Sequence, residues 1–316
     1  MTIVPDAPSP PPVGRFAPSP TGPLHLGSLV AALGSWLFAR AKAGRWLVRM
    51  EDLDSPRVVP GAADDILRTL ERFGLTWDGE VVHQSARLAL YDRALEDLLG
   101  RNEIYACACS RSDLTRSASA PAAGDETDGE PNAAPLIYPG TCRLGLPPGK
   151  AARAFRFRAP PGLTTFEDLL FGPVSENLEA SVGDFVVRRA DGPYAYQLAV
   201  VVDDAAQGVT EVVRGADLLN STARQIALQR ALSFPTPSYA HLPLVLGADG
   251  KKLGKRDGAL PLETLDDDAR RRALLFALSA LGQDPAGSPA DALGTFDPSR
   301  IPAGGSAARF SLLPAG

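Results

Sequence analysis

Cysteine is scarce in this chain: there are three, at positions 107, 109 and 142 of 316 residues. That is too few and too clustered for the disulfide framework of a secreted protein, and their confinement to one window points to metal ligation instead. Long apolar runs are missing too; nothing approaches the ~18 consecutive apolar residues of a membrane span. The Pro-rich residues 1–13 lack the charged and apolar regions of a signal peptide, so a cytoplasmic protein with no membrane partner is expected. An excess of positive charge is also absent. With 32 Lys and Arg against 37 Asp and Glu the formal net charge is −5, which excludes a global field for nucleic acid and leaves only local RNA contact.

What is present suits an enzyme. The length and the 45% hydrophobic composition can bury a large core, as one α/β domain or as a core with a small inserted module. Residues 1–13 read as a flexible leader. Residues 116–135, RSASAPAAGDETDGEPNAAP, have almost nothing to bury and read as a disordered insertion. The stretch from Gly282 is rich in Pro, Gly and Ala, although Phe296 and Ile301 could pin it to the core. No internal repeat is visible. Between these segments strand and helix patterns alternate. GRFAPSP is a short strand entering a Pro-rich turn, and Leu29, Leu33, Trp36, Leu37 and Arg40 follow at helical spacing, with Trp36, Leu33 and Leu37 as core positions. RWLVRME is a second strand, and Asp65 to Phe73 a helix ended by Gly74. YQLAVVVDD reads as a buried strand ending in Asp203 and Asp204, near a cleft. STARQIALQRAL opens on an N-cap serine, and RRALLFALSALG closes on Gly282.

The densest signal is RFAPSPTGPLHLGSL, in which a strand and a Pro-rich turn lead through His25-Leu26-Gly27-Ser28 into a helix. A helix N-terminus offers unpaired N–H groups and a positive dipole end to phosphate, and Gly27 allows close approach to the backbone. His25 can donate to charge developing on that phosphate. A turn histidine beside an N-cap serine is the plain alternative. A second signal is the basic loop Lys251-Lys252-Leu253-Gly254-Lys255-Arg256, preceded by the turn sequence LGADG; alone, such a loop is usually a solvated surface.

In this order the two segments resemble the HIGH and KMSKS signatures of class I aminoacyl-tRNA synthetases. RFAPSPTG, VRMEDLD, YAYQLAVVVDD and GVTEVVRGADLL extend the likeness to the glutamyl and glutaminyl branch, over most of Gly14 to Leu262. The resemblance implies an α/β fold: a Rossmann-like catalytic core in two halves (14–106 and 186–262), an inserted zinc and acceptor-end module (107–185), and a helical C-terminal part with a Pro/Gly-rich tail (263–316). It implies that Arg15, Phe16, Ala17, Pro18, Ser19, Glu51, Tyr196 and Arg214 line a glutamate site. Glu51 would meet the ammonium, and the guanidiniums of Arg15 and Arg214 the carboxylates. It implies that His25, Gly27, Ser28, Lys252 and Lys255 bind ATP, with Mg²⁺ on the leaving phosphates and His25 and Lys255 as the transition-state residues. Ser28 departs from the signature's second His, and Gly254 and Arg256 replace two Ser.

Only residues 257–316 follow the basic loop, and their Pro and Gly content is not expected to build an anticodon-binding domain. Val200 stands where glutamyl-tRNA synthetases generally have Asn. Both features resemble the truncated paralogues of that branch, which place glutamate on the queuosine base of the tRNA(Asp) anticodon. That resemblance also implies one structural zinc per chain, held by Cys107, Cys109, Tyr138 and Cys142, although residues 110–137 separate its halves. ATP, L-glutamate and tRNA are the partners expected, and a monomer. A short synthetase charging the tRNA 3′ end and a non-catalytic glutamate- or tRNA-binding regulator are the alternatives. His83 and His241 lack metal-spaced partners and read as structural or surface histidines.

Overall fold

The computed structural model describes residues 10–110, 112–113, 137–247, 261–303 and 308–309. Residues 116–135, most of the expected leader, and the basic loop with Lys252 and Lys255 lie outside the described residues. In chain order the strands are β1 (Val13–Phe16), β2 (Arg45–Met50), β3 (Val82–His83), β4 (Ile104–Cys107), β5 (Ala154–Phe157) and β6 (Leu163–Asp168). They continue as β7 (Gly172–Asn177), β8 (Phe185–Arg188), β9 (Glu211–Gly215), β10 (Ser238–Leu242), β11 (Val245–Leu246) and β12 (Ala308–Arg309). The helices are α1 (Leu26–Ala41), α2 (Ala62–Arg72), α3 (Leu88–Gly100), α4 (Leu178–Ser181), α5 (Tyr196–Ala206), α6 (Leu219–Ala231), α7 (Asp267–Ala280) and α8 (Pro289–Leu293).

Two groups of parallel strands carry the fold. β1 pairs with β2 and β2 with β3, all parallel. β10 pairs in parallel with β9 on one side and with β6 on the other. The groups meet at the start of β1, where the Thr210 N–H donates to the Val13 carbonyl at 2.9 Å and the Val13 N–H to Thr210 Oγ1 at 2.9 Å. Val13, in the segment expected as leader, is thus the first residue of the sheet. Between β3 and β9 the chain adds antiparallel structure: β4, β5 and β8 form one small sheet, and β7 folds back on β6.

Helix α1 forms because its apolar residues recur all around it and it is buried on nearly every side. Leu33, Leu37 and Trp36 lie in the core, as their spacing predicts, and each buried leucine contributes roughly 2 kcal/mol. The core extends to Phe296 and Ile301, so the segment after Gly282 is held down; Phe296 meets Phe38 edge-on at 5.5 Å. Gly282 sits at φ +66° after the last turn of α7, the left-handed position that ends a helix.

Two local expectations are overturned. YQLAVVVDD is not a strand: it is helix α5, eleven residues long, and Gln197 to Asp204 are all buried. Three consecutive β-branched valines suggest a strand, but a helix buried on all sides has no apolar stripe to betray it, and the tertiary setting overrides propensity. Likewise Ser221 does not cap α6. That helix starts at Leu219, continuous with a 3₁₀ turn at Ala216–Leu218, and Ser221 and Thr222 are buried within it.

Candidate active site

The cleft opens where the two strand groups part. β1 and β9 are tied at their N-terminal ends, and towards their carboxyl ends the Arg15 guanidinium fills the space between them, within 3.5 Å of the Val213 carbonyl. Such a crevice, at the C-terminal ends of parallel strands and between neighbours that lead in different directions, is where open α/β sheets bind ligands. It measures about 360 Å³. Its wall contains Arg15, Phe16, Ala17, Pro18, Ser19, Tyr196 and Arg214 together with His25, Gly27 and Ser28, so ten of the predicted residues converge on one space. Glu51 is not in that wall; it lies at the end of β2, with its backbone N–H on the Pro18 carbonyl at 3.0 Å.

His25 is itself the N-cap of α1: its Nδ1 accepts the Ser28 N–H at 3.3 Å. Ser28 is therefore the third helical residue and not the cap, and its amide is already satisfied. The amides of Leu26 and Gly27 precede any intrahelical bond and form the positive end of the helix.

Behind the cleft lies a buried ionic network. Arg49 is fully buried and donates to Asp204 at 2.7 Å, Gln207 at 2.8 Å and Glu51 at 3.3 Å, and Asp204 also receives Arg15 Nε at 3.3 Å. Burial would raise the Asp204 carboxyl, but the Arg15 and Arg49 guanidiniums outweigh it and hold the group below the usual carboxylate range. At Glu51 burial wins, and the carboxyl is lifted above its usual range against Arg49 and Arg15. Asp203, on the next position of α5, accepts Arg87 at 2.6 Å, Tyr91 at 2.7 Å and Gln84 at 2.9 Å. The two carboxylates of α5 thus have different tasks: Asp204 fixes Arg15 of the wall and Arg49 behind it, and Asp203 clamps the start of α3. Burial also pushes the Tyr196 hydroxyl up to about 12, so it remains a neutral hydrogen-bonding group.

Arg214 donates through Nη2 to Thr222 Oγ1 at 2.8 Å and through Nε to His241 Nε2 at 3.1 Å. Its Nη1 is buried and has no hydrogen-bond partner among the described residues. A buried guanidinium nitrogen left so on a cleft wall is a ready donor for a ligand carboxylate. His241, read from sequence as structural or at the surface, is fully buried against this arginine; His83, half-exposed and 3.3 Å from Asp52, fits that reading.

The cysteines form a second site. Cys107, Cys109 and Cys142 bring their sulfurs within 4.8 Å of one another, a donor set able to hold a metal ion. The Tyr138 oxygen lies 3.5 Å from Cys107 Sγ and 3.7 Å from Cys109 Sγ, and it accepts the Cys142 N–H at 2.9 Å. Gly183, at φ +70°, lets two chain segments touch here: an added Cβ would stand 2.9 Å from the Tyr138 carbonyl oxygen. Arg156 covers the Tyr138 ring at 3.9 Å and donates to Cys107 Sγ at 3.4 Å. Burial would raise the Cys107 thiol, but hydrogen bonds from Tyr138, the Cys109 amide and Arg156 prevail and lower it; burial pushes Cys109 up to about 11.

Sequence reasoning missed Arg49, Asp168 and His241. Arg49 sits in the quoted strand RWLVRME with a charge at an otherwise buried position, which is a usable signal. Asp168 and His241 carry none, because a single aspartate and a single histidine acquire meaning only from the strand pairing that joins them.

Comparison with known proteins converges on one family. The model for the catalytic domain of the class I tRNA synthetases (E and Q) matches residues 13–290. The glutamyl-Q tRNA(Asp) synthetase of Geobacter sulfurreducens is 56% identical over 310 residues, spanning 95% of this chain and 96% of that protein. The glutamyl-Q tRNA(Asp) synthetase of Aromatoleum aromaticum is 56% identical over 280 residues, or 89% of this chain and 84% of that protein. Among solved structures, a glutamate tRNA ligase from Elizabethkingia meningosepticum in complex with its amino acid superposes with a TM-score of 0.78 at 27% identity, covering 96% of this chain and 67% of the ligase.

Proposed function

Because this chain belongs to the class I tRNA synthetases for glutamate and glutamine, we propose that it activates glutamate with ATP and transfers it to the queuosine base of tRNA(Asp). The observation that carries the reading is the cleft itself: its wall holds both a helix N-terminus headed by His25 and Arg214, whose buried Nη1 has no partner among the described residues. The first suits a polyphosphate and the second a carboxylate, so one chamber holds both reactants. Relatives matched over nearly their whole length supply the acceptor.

In this reading Arg214 and Arg15 orient the amino acid by its carboxylates, Tyr196 adds a neutral hydrogen bond, and Glu51 meets the ammonium from behind Pro18. An incoming ammonium would lower the Glu51 carboxyl again, as an opposite charge favours its ionised form. The α-carboxylate oxygen attacks the α-phosphorus of ATP, the bond to the bridging oxygen breaks, and pyrophosphate leaves, giving glutamyl-adenylate. The chain contributes position and charge rather than a covalent nucleophile. His25 donates from Nε2 to the phosphate, helped by the dipole of α1, while Lys252 and Lys255, which lie outside the described residues, are assigned to the leaving phosphates with Mg²⁺.

The cysteine cluster fits zinc. Tetrahedral thiolates at ~2.3 Å from the metal stand about 3.8 Å apart, and Cys109 and Cys142 are separated by 3.7 Å. A phenolate oxygen at ~2.0 Å would stand about 3.5 Å from a thiolate, and Tyr138 and Cys107 are separated by 3.5 Å. Four protein ligands leave no open position, so the ion would be structural. ATP–pyrophosphate exchange tests the reading: it should require glutamate, discriminate against glutamine and proceed without tRNA, whereas exchange with glutamine or a strict need for tRNA would refute it.

A further inference from the structure

Arg214 lies on β9, His241 directly opposite it on β10, and Asp168 at the end of β6 on the far side of β10. Their side chains form one chain of hydrogen bonds across three adjacent parallel strands: Arg214 Nε to His241 Nε2 at 3.1 Å, and His241 Nδ1 to Asp168 Oδ2 at 2.6 Å. The imidazole and the carboxylate are both fully buried. A guanidinium only donates, so His241 Nε2 must accept, and the single proton of the neutral ring must sit on Nδ1 and be given to Asp168. Asp168 is in turn immobilised, because its Oδ1 accepts the amides of Leu170 and Phe171 at 3.0 Å each and of His241 at 3.3 Å. Burial and the neighbouring Arg214 hold the imidazole below its usual range, against Asp168, which keeps it neutral.

Resting on the reading of the cleft as a glutamate site, we infer that Asp168 and His241 are positioning residues: the carboxylate sets the tautomer of His241, and that tautomer holds the Arg214 guanidinium so that Nη1 faces the amino acid. A guanidinium on a flexible stem can rotate about its last bonds. Fixing Nε and Nη2 fixes the plane of the guanidinium and with it the place of Nη1, the buried nitrogen that has no partner among the described residues, on a residue of the cleft wall. Asp168 belongs to the inserted region between the two core halves, so the insertion reaches the amino-acid site through this relay.

The test turns on Asp168→Asn, which preserves shape. Its Oδ1 keeps the three amides, while its NH₂ faces His241 Nδ1 and forces the proton to Nε2. Two N–H groups then confront each other at Arg214, much as the Asp→Asn change in a serine-protease triad imposes the wrong tautomer. In exchange assays on the full chain, Asp168→Asn should raise the KM for glutamate about tenfold or more, with the KM for ATP within about twofold of wild type. His241→Gln, whose carbonyl oxygen can reach the Nε2 position, should retain more glutamate affinity than His241→Asn, whose amide reaches only the Nδ1 position. A folded Asp168→Asn with wild-type glutamate KM, or equal defects in the two His241 variants, would overturn the inference. Nitrogen-15 NMR of the three histidines decides the relay without reference to substrate. His241 should be the Nδ1–H tautomer in wild type and Nε2–H in Asp168→Asn, and an Nε2–H wild type would refute it. If wild type activates no glutamate at all, the functional reading fails while the tautomer result still judges the relay.

Discussion

His25 Nδ1 accepts the backbone N–H of Ser28 at 3.3 Å, which makes one imidazole both the cap of α1 and part of the cleft wall. With Nδ1 occupied as an acceptor, the neutral ring carries its proton on Nε2, the tautomer that can donate to a phosphate. The two duties can be separated. His25→Asn keeps a good N-cap and loses the Nε2 donor, so its thermal stability should stay close to wild type while glutamate-dependent exchange falls by about 10². His25→Ala loses both, adding about 1 kcal/mol of destabilisation. Less than a tenfold loss of exchange in the Asn variant would remove His25 from the chemistry.

Elemental analysis of the purified protein should find about one zinc per chain, and Cys107→Ser combined with Cys109→Ser should find none, with exchange largely preserved. Gly183→Ala tests the geometry from outside the ligand set, since its added Cβ would press on the Tyr138 backbone at 2.9 Å. It should lose zinc to a chelator faster than wild type. A metal-free native protein, or abolished activation in a folded cysteine variant, would contradict the structural assignment.

Asp204 contributes to acid stability. Its folded-state pKa is depressed because Arg15 and Arg49 outweigh its burial. Its contribution is therefore complete above the unfolded value of about 3.9 and is lost as the pH falls through the lower folded value. Asp204→Asn leaves Arg49 buried with one fewer counter-charge and should cost about 3 kcal/mol at neutral pH. Because the variant has no such carboxylate to protonate, its deficit relative to wild type should shrink below about pH 4. Urea titrations of both proteins across that range measure this; a deficit independent of pH would contradict it.

Much of the amino-acid and nucleotide wall is legible in the amino-acid order, since β1, the Pro-rich turn and the start of α1 are continuous in sequence and carry eight of the ten predicted residues found there: Arg15, Phe16, Ala17, Pro18, Ser19, His25, Gly27 and Ser28. The cysteine cluster is legible because three identical rare residues share one window. Helix α5 is not, for its burial on every side erases the period by which a helix is recognised, and three valines imitate a strand. Nor is the partnership of Arg214, His241 and Asp168, which exists only once β9, β10 and β6 lie side by side. Ser221 illustrates the opposite error: a good capping residue in sequence becomes a buried hydroxyl accepting from Gln197 at 3.0 Å, because the preceding 3₁₀ turn starts the helix earlier.

Where the glutamate ends up on the tRNA tests the proposed activity most directly. The protein is incubated with ATP, labelled glutamate and total tRNA, and the labelled tRNA is cut with nucleases and its fragments mapped. Label is expected in the anticodon fragment of tRNA(Asp), on the queuosine base, and should be absent when the tRNA comes from cells that lack queuosine. Label on the terminal adenosine of the 3′ end would contradict the proposal and identify an enzyme that charges tRNA in the ordinary way.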